Sequence, residues 1–168
     1  MIRPVIPADA ASIARIYNHY VTHTTATFEE TPVSAGEMQG RIDQVARAKL
    51  PWLVAEDESG EITGYAYATR WKDRTAYRYA AEVSVYLAPS SVGKGLGSAL
   101  YGELFPLTAQ CGLRTLLAGI TLPNPVSVAL HEKFAMTQCA RLPKVGYKFE
   151  QWLDVGYWVL DLHEHPPT

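Results

Sequence analysis

A chain of 168 residues with 48% hydrophobic and 19% charged side chains has the make-up of one folded domain over residues 1–168, which excludes disordered, collagen-like and coiled-coil classes. The formal net charge is -2 and no run of lysine or arginine occurs, so the basic footprint that a nucleic-acid partner requires is missing. Cys111 and Cys139 match no metal or redox spacing, MIRPVIPADA has no apolar secretory core, and no stretch of about 18 apolar residues could enter a membrane; no metal is expected, and the expected location is cytoplasmic.

Along the chain, ADAASIARIYNHYV places Ile13, Ile16, Tyr17, Tyr20 and Val21 at helical spacing, with Asp9 as the expected cap. A threonine-rich loop leads to a second helix, opened by the Ser34 and Glu37 capping-box pattern and running through Met38, Ile42 and Val45 toward Lys49. WLVAED and ITGYAYATRW read as strands joined across Glu58-Ser59-Gly60-Glu61, an antiparallel hairpin. AAEVSVYLA is the next strand and stops at Pro89. A glycine-rich loop then feeds GLGSALYGELF, whose Leu96, Ala99, Leu100 and Leu104 share a helical face; Pro106 should kink that helix or begin a new turn, and Cys111-Gly112 should end it. TLLAGI is a short buried strand, Asn124-Pro125 opens the short helix VSVALHEKF, and TQCARL and DVGYWVLDL read as closing strands around a turn at Gly146.

The stretch PSSVGKGLGS matches neither G-x-x-x-x-G-K-[ST] nor G-x-G-x-x-G, which removes support for nucleotide-hydrolase and dinucleotide readings. What remains is a strand, a turn with glycine at 93, 95 and 97, and a helix start. Exposed amides and the helix dipole favour an anion there, and a pyrophosphate fits.

With V-S-V-Y-L before the loop, G-K-G-L-G-S in it, and L-P-N followed by L-H-E-K-F after it, the chain resembles the GNAT acyltransferase superfamily. That resemblance implies an α+β, three-layer α/β/α fold: a mixed, mostly antiparallel twisted sheet, helices on both faces, and splayed central strands that admit acetyl-CoA. It further implies that Gly93, Lys94, Gly95, Leu96, Gly97 and Ser98 hold the pyrophosphate. Two positions depart from the family pattern: Val92 stands where glutamine or arginine is usual, and Phe134-Ala135-Met136 lacks the glycine that commonly follows the helix.

Y-N-H-Y at 17–20, T-x-T-F-E around Phe28, P-W-L-V-A-E at 51–56, A-Y-A-T-R-W-K-D-R-T-A-Y at 66–77 and D-V-G-Y-W-V-L-D at 154–161 resemble phosphinothricin N-acetyltransferases over nearly the whole chain. Those enzymes acetylate the amino group of a glutamate-like herbicide, and close relatives acetylate methionine sulfoximine and methionine sulfone. An ammonium must lose a proton before it attacks. Glu82, a strand carboxylate among apolar neighbours, is the expected general base, acting through water. Backbone N–H groups of Val85, Tyr86 and Leu87 are candidates to polarise the thioester and to pair with the pantetheine arm, given a distortion of the strand. His131 stands where many GNAT enzymes place a tyrosine and is the candidate proton donor to the thiolate. Asn124 and Ser127 are candidate polar contacts to the coenzyme arm.

A glutamate-like acceptor with two anionic groups asks for cations. Lys72 and Arg74 suit it, Arg74 through its planar fork, with Thr75, Ala76 and the Tyr77 hydroxyl beside them. Phe28 is expected to wall the acceptor pocket, and Tyr101 to approach it. The resemblance implies a homodimer. Neither cysteine lies in an acyl-carrying segment, so direct attack in a ternary complex is the expected mechanism. Two alternatives stand beside it: a methionine sulfoximine or sulfone acetyltransferase, and a non-catalytic acyl-CoA sensor.

Overall fold

The computed structural model describes residues 1–163. Along these residues the elements are β1 (Ile2–Pro4), α1 (Ala10–His23), α2 (Ala35–Arg47), β2 (Trp52–Glu56), β3 (Ile62–Arg70), β4 (Ala80–Leu87), α3 (Leu96–Gln110), β5 (Thr115–Leu122), α4 (Pro125–Lys133), β6 (Thr137–Lys148) and β7 (Gln151–Asp161). The strands form one sheet in the order β1-β2-β3-β4-β5-β7-β6. Every pairing is antiparallel except β4 with β5.

Alternation along the strands divides the interior into two cores. Leu53, Ala55, Ala66, Ala68, Ala81 and Val83 face Leu100, Tyr101, Leu104 and Phe105 of α3. Trp52, Val54, Ile62 and Tyr65 face Ile13, Ile16 and Tyr17 of α1 and Met38, Ile42 and Val45 of α2. The helical stripes legible in the sequence are therefore buried against opposite faces of the sheet, which makes the fold a three-layer α/β/α fold.

The capping box at α2 is formed: the Glu37 amide donates to Ser34 Oγ at 3.1 Å and the Ser34 amide to Glu37 Oε2 at 2.7 Å. Three local expectations are corrected. Asp9 makes no side-chain cap to α1; its carboxylate accepts two bonds from Arg3, at 2.8 and 3.0 Å, and one from the Ile6 amide, because a guanidinium fork out-competes a single amide. Pro106 starts no new turn: the helix runs on to Gln110, with Leu104, Phe105 and Thr108 buried around the proline. The β6–β7 turn lies at Phe149 and Glu150, whose φ values are 50° and 59°, not at Gly146. Gly146 sits inside β6 opposite Leu153, where a Cβ would come within 2.2 Å of the Phe28 ring. The glycine makes room for an aromatic ring from a distant loop, a reason that no local turn signal reports.

Ala135, where the sequence departs from the usual glycine, has φ 60° directly after α4. A Cβ in that region crowds the backbone by about 1–2 kcal/mol. Ala135→Gly is therefore expected to raise stability by about 0.5–1 kcal/mol after the entropy loss of added glycine freedom is subtracted, as measured by urea unfolding. An unchanged or lower midpoint would remove this strain from the account.

Candidate active site

Strands β4 and β5 pair only over Ala80–Glu82 against Thr115–Leu117, although each strand has 8 residues. Beyond Glu82 they diverge. The wedge between them is a cleft of about 290 Å³, lined by Val83, Ser84, Val85, Tyr86 and Leu87 on one side and by Gly119, Ile120 and Thr121 on the other, and closed by Asn124, Ser127 and His131 of the α4 region. The Ala88 amide donates to the Thr63 carbonyl of β3 at 2.8 Å and the β3–β4 register runs without a shift, so alternation turns the amides of Val85 and Leu87, which lie beyond the last β4–β5 pair, into the cleft. No bulge is needed to free them; the lost strand partner does so. By the same alternation the Tyr86 amide belongs to the β3 ladder, and Tyr86 reaches the cleft as a side chain. Leu87 is engaged as well, since its carbonyl accepts from Tyr20 Oη at 2.6 Å and its amide lies 3.4 Å from that oxygen.

At the open end of the cleft, a 3-10 turn at Pro89–Ser91 leads into Gly93 and Gly95, with φ 80° and 79°, and Gly95 caps α3. This left-handed geometry carries the chain sharply into a helix N-terminus, where unpaired amides and the dipole suit an anion. Gly97 lies 3.1 Å, measured from a built Cβ, from the Leu130 side chain, so α3 and α4 approach closely only because it is small. Lys133 Nζ donates to Ser98 Oγ at 3.1 Å, which brings a second cation beside Lys94 to the cradle. Val92 lines the cleft with an exposed apolar side chain.

Glu82 projects on the α1/α2 side of the sheet, where the splay begins. A Cβ on Gly119 would lie 3.3 Å from Glu82 Oε1 and 3.2 Å from the Tyr157 ring, so the glycine keeps space for this carboxylate. Burial raises its pKa above the usual carboxylate range, opposed by a hydrogen bond from the Gly119 backbone and by the Lys72 charge. A half-buried carboxylate whose pKa is raised holds an abstracted proton better than a solvated one, which suits a general base.

His131 and Tyr101 meet on the other side of the sheet, both buried. His131 Nδ1 lies 2.7 Å from the Ser127 carbonyl, which can only accept, so Nδ1 carries the ring proton; Tyr101 Oη, 3.0 Å from Nε2, is then the donor to that nitrogen. Burial lowers the His131 pKa, so the ring is neutral at pH 7 with its single N–H already engaged. This geometry makes His131 an acceptor that orients Tyr101, and it withholds the proton that a donor to the thiolate would need.

A match to the family described as Acetyltransferase (GNAT) domain covers residues 2–156. The chain belongs to the GNAT acetyltransferases. It is 38% identical over 164 residues to the L-methionine sulfoximine/L-methionine sulfone acetyltransferase of Salmonella typhimurium, covering 98% of this chain and 95% of that one. It is 40% identical over 168 residues to the phosphinothricin N-acetyltransferase of Streptomyces viridochromogenes, covering 99% and 90%. Among solved structures, a GNAT superfamily phosphinothricin acetyltransferase from Sinorhizobium meliloti in complex with AcCoA superposes with a TM-score of 0.95 at 38% identity, covering 100% of this chain and 91% of that one.

In this GNAT acetyltransferase the expected acceptor residues fall in three places. Lys72, Arg74, Thr75, Ala76 and Tyr77 all lie on an exposed loop, the last three in a 3-10 turn, and Lys72 Nζ sits 4.9 Å over the Trp71 ring. Tyr101 lines the coenzyme-type cleft instead of an acceptor wall, because α3 packs on the face opposite Glu82. Phe28 packs on Gly146 at the β6–β7 hairpin. Its loop is held at both ends. On one side Glu29 accepts a bidentate pair from Arg41, at 2.9 and 2.5 Å, and a bond from Tyr17; on the other, buried Lys148 donates to the Thr27 carbonyl at 2.8 Å. Tyr20, Gly119, Lys133 and the Glu29–Arg41 pair, none of them among the candidate site residues singled out in the sequence, line or brace these spaces. Tyr20, Glu29 and Lys133 stand inside the motifs Y-N-H-Y, T-x-T-F-E and L-H-E-K-F, whereas Gly119 and Arg41 had no motif to mark them.

Proposed function

We propose that this chain transfers an acetyl group from acetyl-CoA to the α-amino group of a small glutamate-like amino acid, with phosphinothricin and methionine sulfoximine as the two leading acceptors, and acts as a single catalytic domain in the cytoplasm. One observation carries the reading: Glu82, a half-buried carboxylate of raised pKa, stands where β4 and β5 part, so a base and a coenzyme-shaped cleft share one edge. The activities of the relatives support the acceptor class, and the glycine cradle with Lys94 and Lys133 suits a pyrophosphate. Acetyl-CoA contributes the activated thioester.

The residues of this chain divide the remaining tasks. Glu82 takes the ammonium proton through a water, leaving an amine able to attack. The Val85 amide, turned into the splay, is the donor for charge developing on the carbonyl oxygen, with Tyr20 holding Leu87 in place beside it. Neutral His131 and Tyr101 fix the cleft wall, and the departing sulfur collects the second proton of the amine. Lys72, Arg74 and Tyr77 are assigned to the acceptor's anionic groups.

Thiol release from acetyl-CoA, with phosphinothricin, methionine sulfoximine, methionine sulfone and the common amino acids as parallel acceptors, tests the reading. Strong turnover on the first two or three supports it. Acetyl-CoA binding with silence on every amine leaves an acyl-CoA sensor.

Because the base works deprotonated, kcat/KM should rise with pH along an acid limb above the usual carboxylate range of about 4. Lys72→Met removes an ammonium that favours the carboxylate, so that limb should move to higher pH. A pH profile at saturating acetyl-CoA checks this, and an unmoved limb detaches Lys72 from the base.

A homodimer belongs to the same reading. Leu142, Val145, Tyr147, Phe149 and Trp152 are all exposed on the β6–β7 hairpin, an apolar surface that a second copy would cover. Sedimentation velocity distinguishes dimer from monomer.

A further inference from the structure

A second cavity, larger than the splay, takes no part in the mechanism above. It holds about 530 Å³ between α2 and the β2–β3 part of the sheet, well within the range of small-molecule sites. Its floor is an aromatic platform: Trp52 stacks on Tyr67 with centroids 4.1 Å apart and planes 12° from parallel. Met38 and Val45 of α2 wall it above, and Thr69 and Arg70 line it at the end of β3.

Its position relative to the base is set by strand register. Tyr67 and Thr69 pair directly with Ser84 and Glu82, and partners across an antiparallel pair share a face with Cβ atoms roughly 4.5–5.5 Å apart. Ser84 lines the splay, whereas Tyr67 and Thr69 line the larger cavity. Glu82 thus stands between the two spaces, with Gly119 of the splay on one side and Thr69 of the cavity on the other. An amine held at Glu82 to react in the splay has the rest of its molecule beside this second space.

The lining states the chemistry of the occupant. Stacked rings and aliphatic walls favour a large apolar or aromatic group. Charge at the edge favours an anion: Arg41 is neutralised by Glu29, but Arg47 and Arg70 make no ion pair among the described residues, and Asp73 is the sole acid in the lining. A free amino acid has both features, an α-carboxylate and a side chain. Glutamate-like acceptors would leave most of the platform uncovered.

We propose that this cavity receives the side chain of the acceptor amino acid and extends the acceptor range to large aromatic or apolar side chains, of phenylalanine or tryptophan size. The proposal rests on the acetyltransferase reading and names a substrate class for the same reaction.

Gln44→Trp tests it, since Gln44 is an exposed α2 residue that lines the cavity, and its substitution fills the space without touching the core. Ala48→Phe, at the C-cap of α2, is the second variant. Steady-state thiol release is measured with phosphinothricin, methionine sulfoximine, phenylalanine and tryptophan. The wild type should turn over all four; Gln44→Trp should lower kcat/KM for the two aromatic acceptors by about 10-fold or more, mostly through KM, and leave phosphinothricin within about 2-fold. Turnover on the small acceptors with none on the aromatic ones overturns this proposal and leaves the acetyltransferase reading intact. Equal effects of both variants on all acceptors, or no effect on any, also overturn it. Silence of the wild type on all four overturns both.

Discussion

Replacing Glu82 by glutamine lowers turnover by about 100-fold or more while acetyl-CoA still binds. Glutamine keeps the shape of the side chain and an oxygen that can still accept from the Gly119 backbone, but it cannot take a proton from the ammonium. Burial raises the Glu82 pKa, so the neutral amide is also easier to bury than the carboxylate and the fold is not weakened by the change. Steady-state thiol release with a calorimetric titration of acetyl-CoA separates the two effects. Undiminished turnover rejects Glu82 as the base, and loss of coenzyme binding together with turnover would make the residue structural. Its position at the parting of β4 and β5 makes the first pattern the expected one, because the cleft itself is built from residues after Glu82.

The second large effect belongs to the cradle. Gly95 holds φ 79° at the N-cap of α3, a conformation that a β-branched residue resists. Gly95→Val should raise the KM for acetyl-CoA by about 10- to 100-fold, the equivalent of losing one charge-assisted bond of about 1.5–3 kcal/mol from amides that no longer point at the pyrophosphate. Turnover at saturating coenzyme should change far less, since Glu82 and the Val85 amide lie outside the turn. Gly40→Ala on α2, where an added Cβ meets nothing within 4 Å, is the matched control. An unchanged KM in Gly95→Val would show that the turn is merely a turn, and the coenzyme phosphates would have to be sought elsewhere.

Much of the fold was legible because its signals are local. The apolar stripes of α1 and α2, the Ser34–Glu37 box, the β2–β3 hairpin and the glycine pair before α3 are each encoded within a few residues of one another, and each is formed. The misreadings were all overridden from a distance. Asp9 was taken from its cap by Arg3 across the first turn, and Pro106 was held in helix by the packing of α3 on the sheet. Gly146, read as a turn, is small because Phe28 lies against it from a loop more than a hundred positions earlier.

For the site, the sequence by itself determined the chemistry available: a strand carboxylate at 82, a glycine turn that can cradle an anion, a histidine at 131, and a cationic loop at 72–77. Residue types and short spacings suffice for that, because protonation, positive φ and helix capping are properties of single residues and their neighbours. The tertiary structure alone decided how those groups stand to one another. Parting of β4 from β5 left the Val85 amide without a strand partner, while the Tyr86 amide stayed in the β3 ladder. The Ser127 carbonyl consumed the one proton of His131. Gly119, from another strand, made the space for Glu82, and register placed that carboxylate between two cavities of which the larger had no sequence signal at all. Cavities and proton inventories depend on atoms brought together from separate elements, and no spacing along the chain records which face of a sheet will meet which helix.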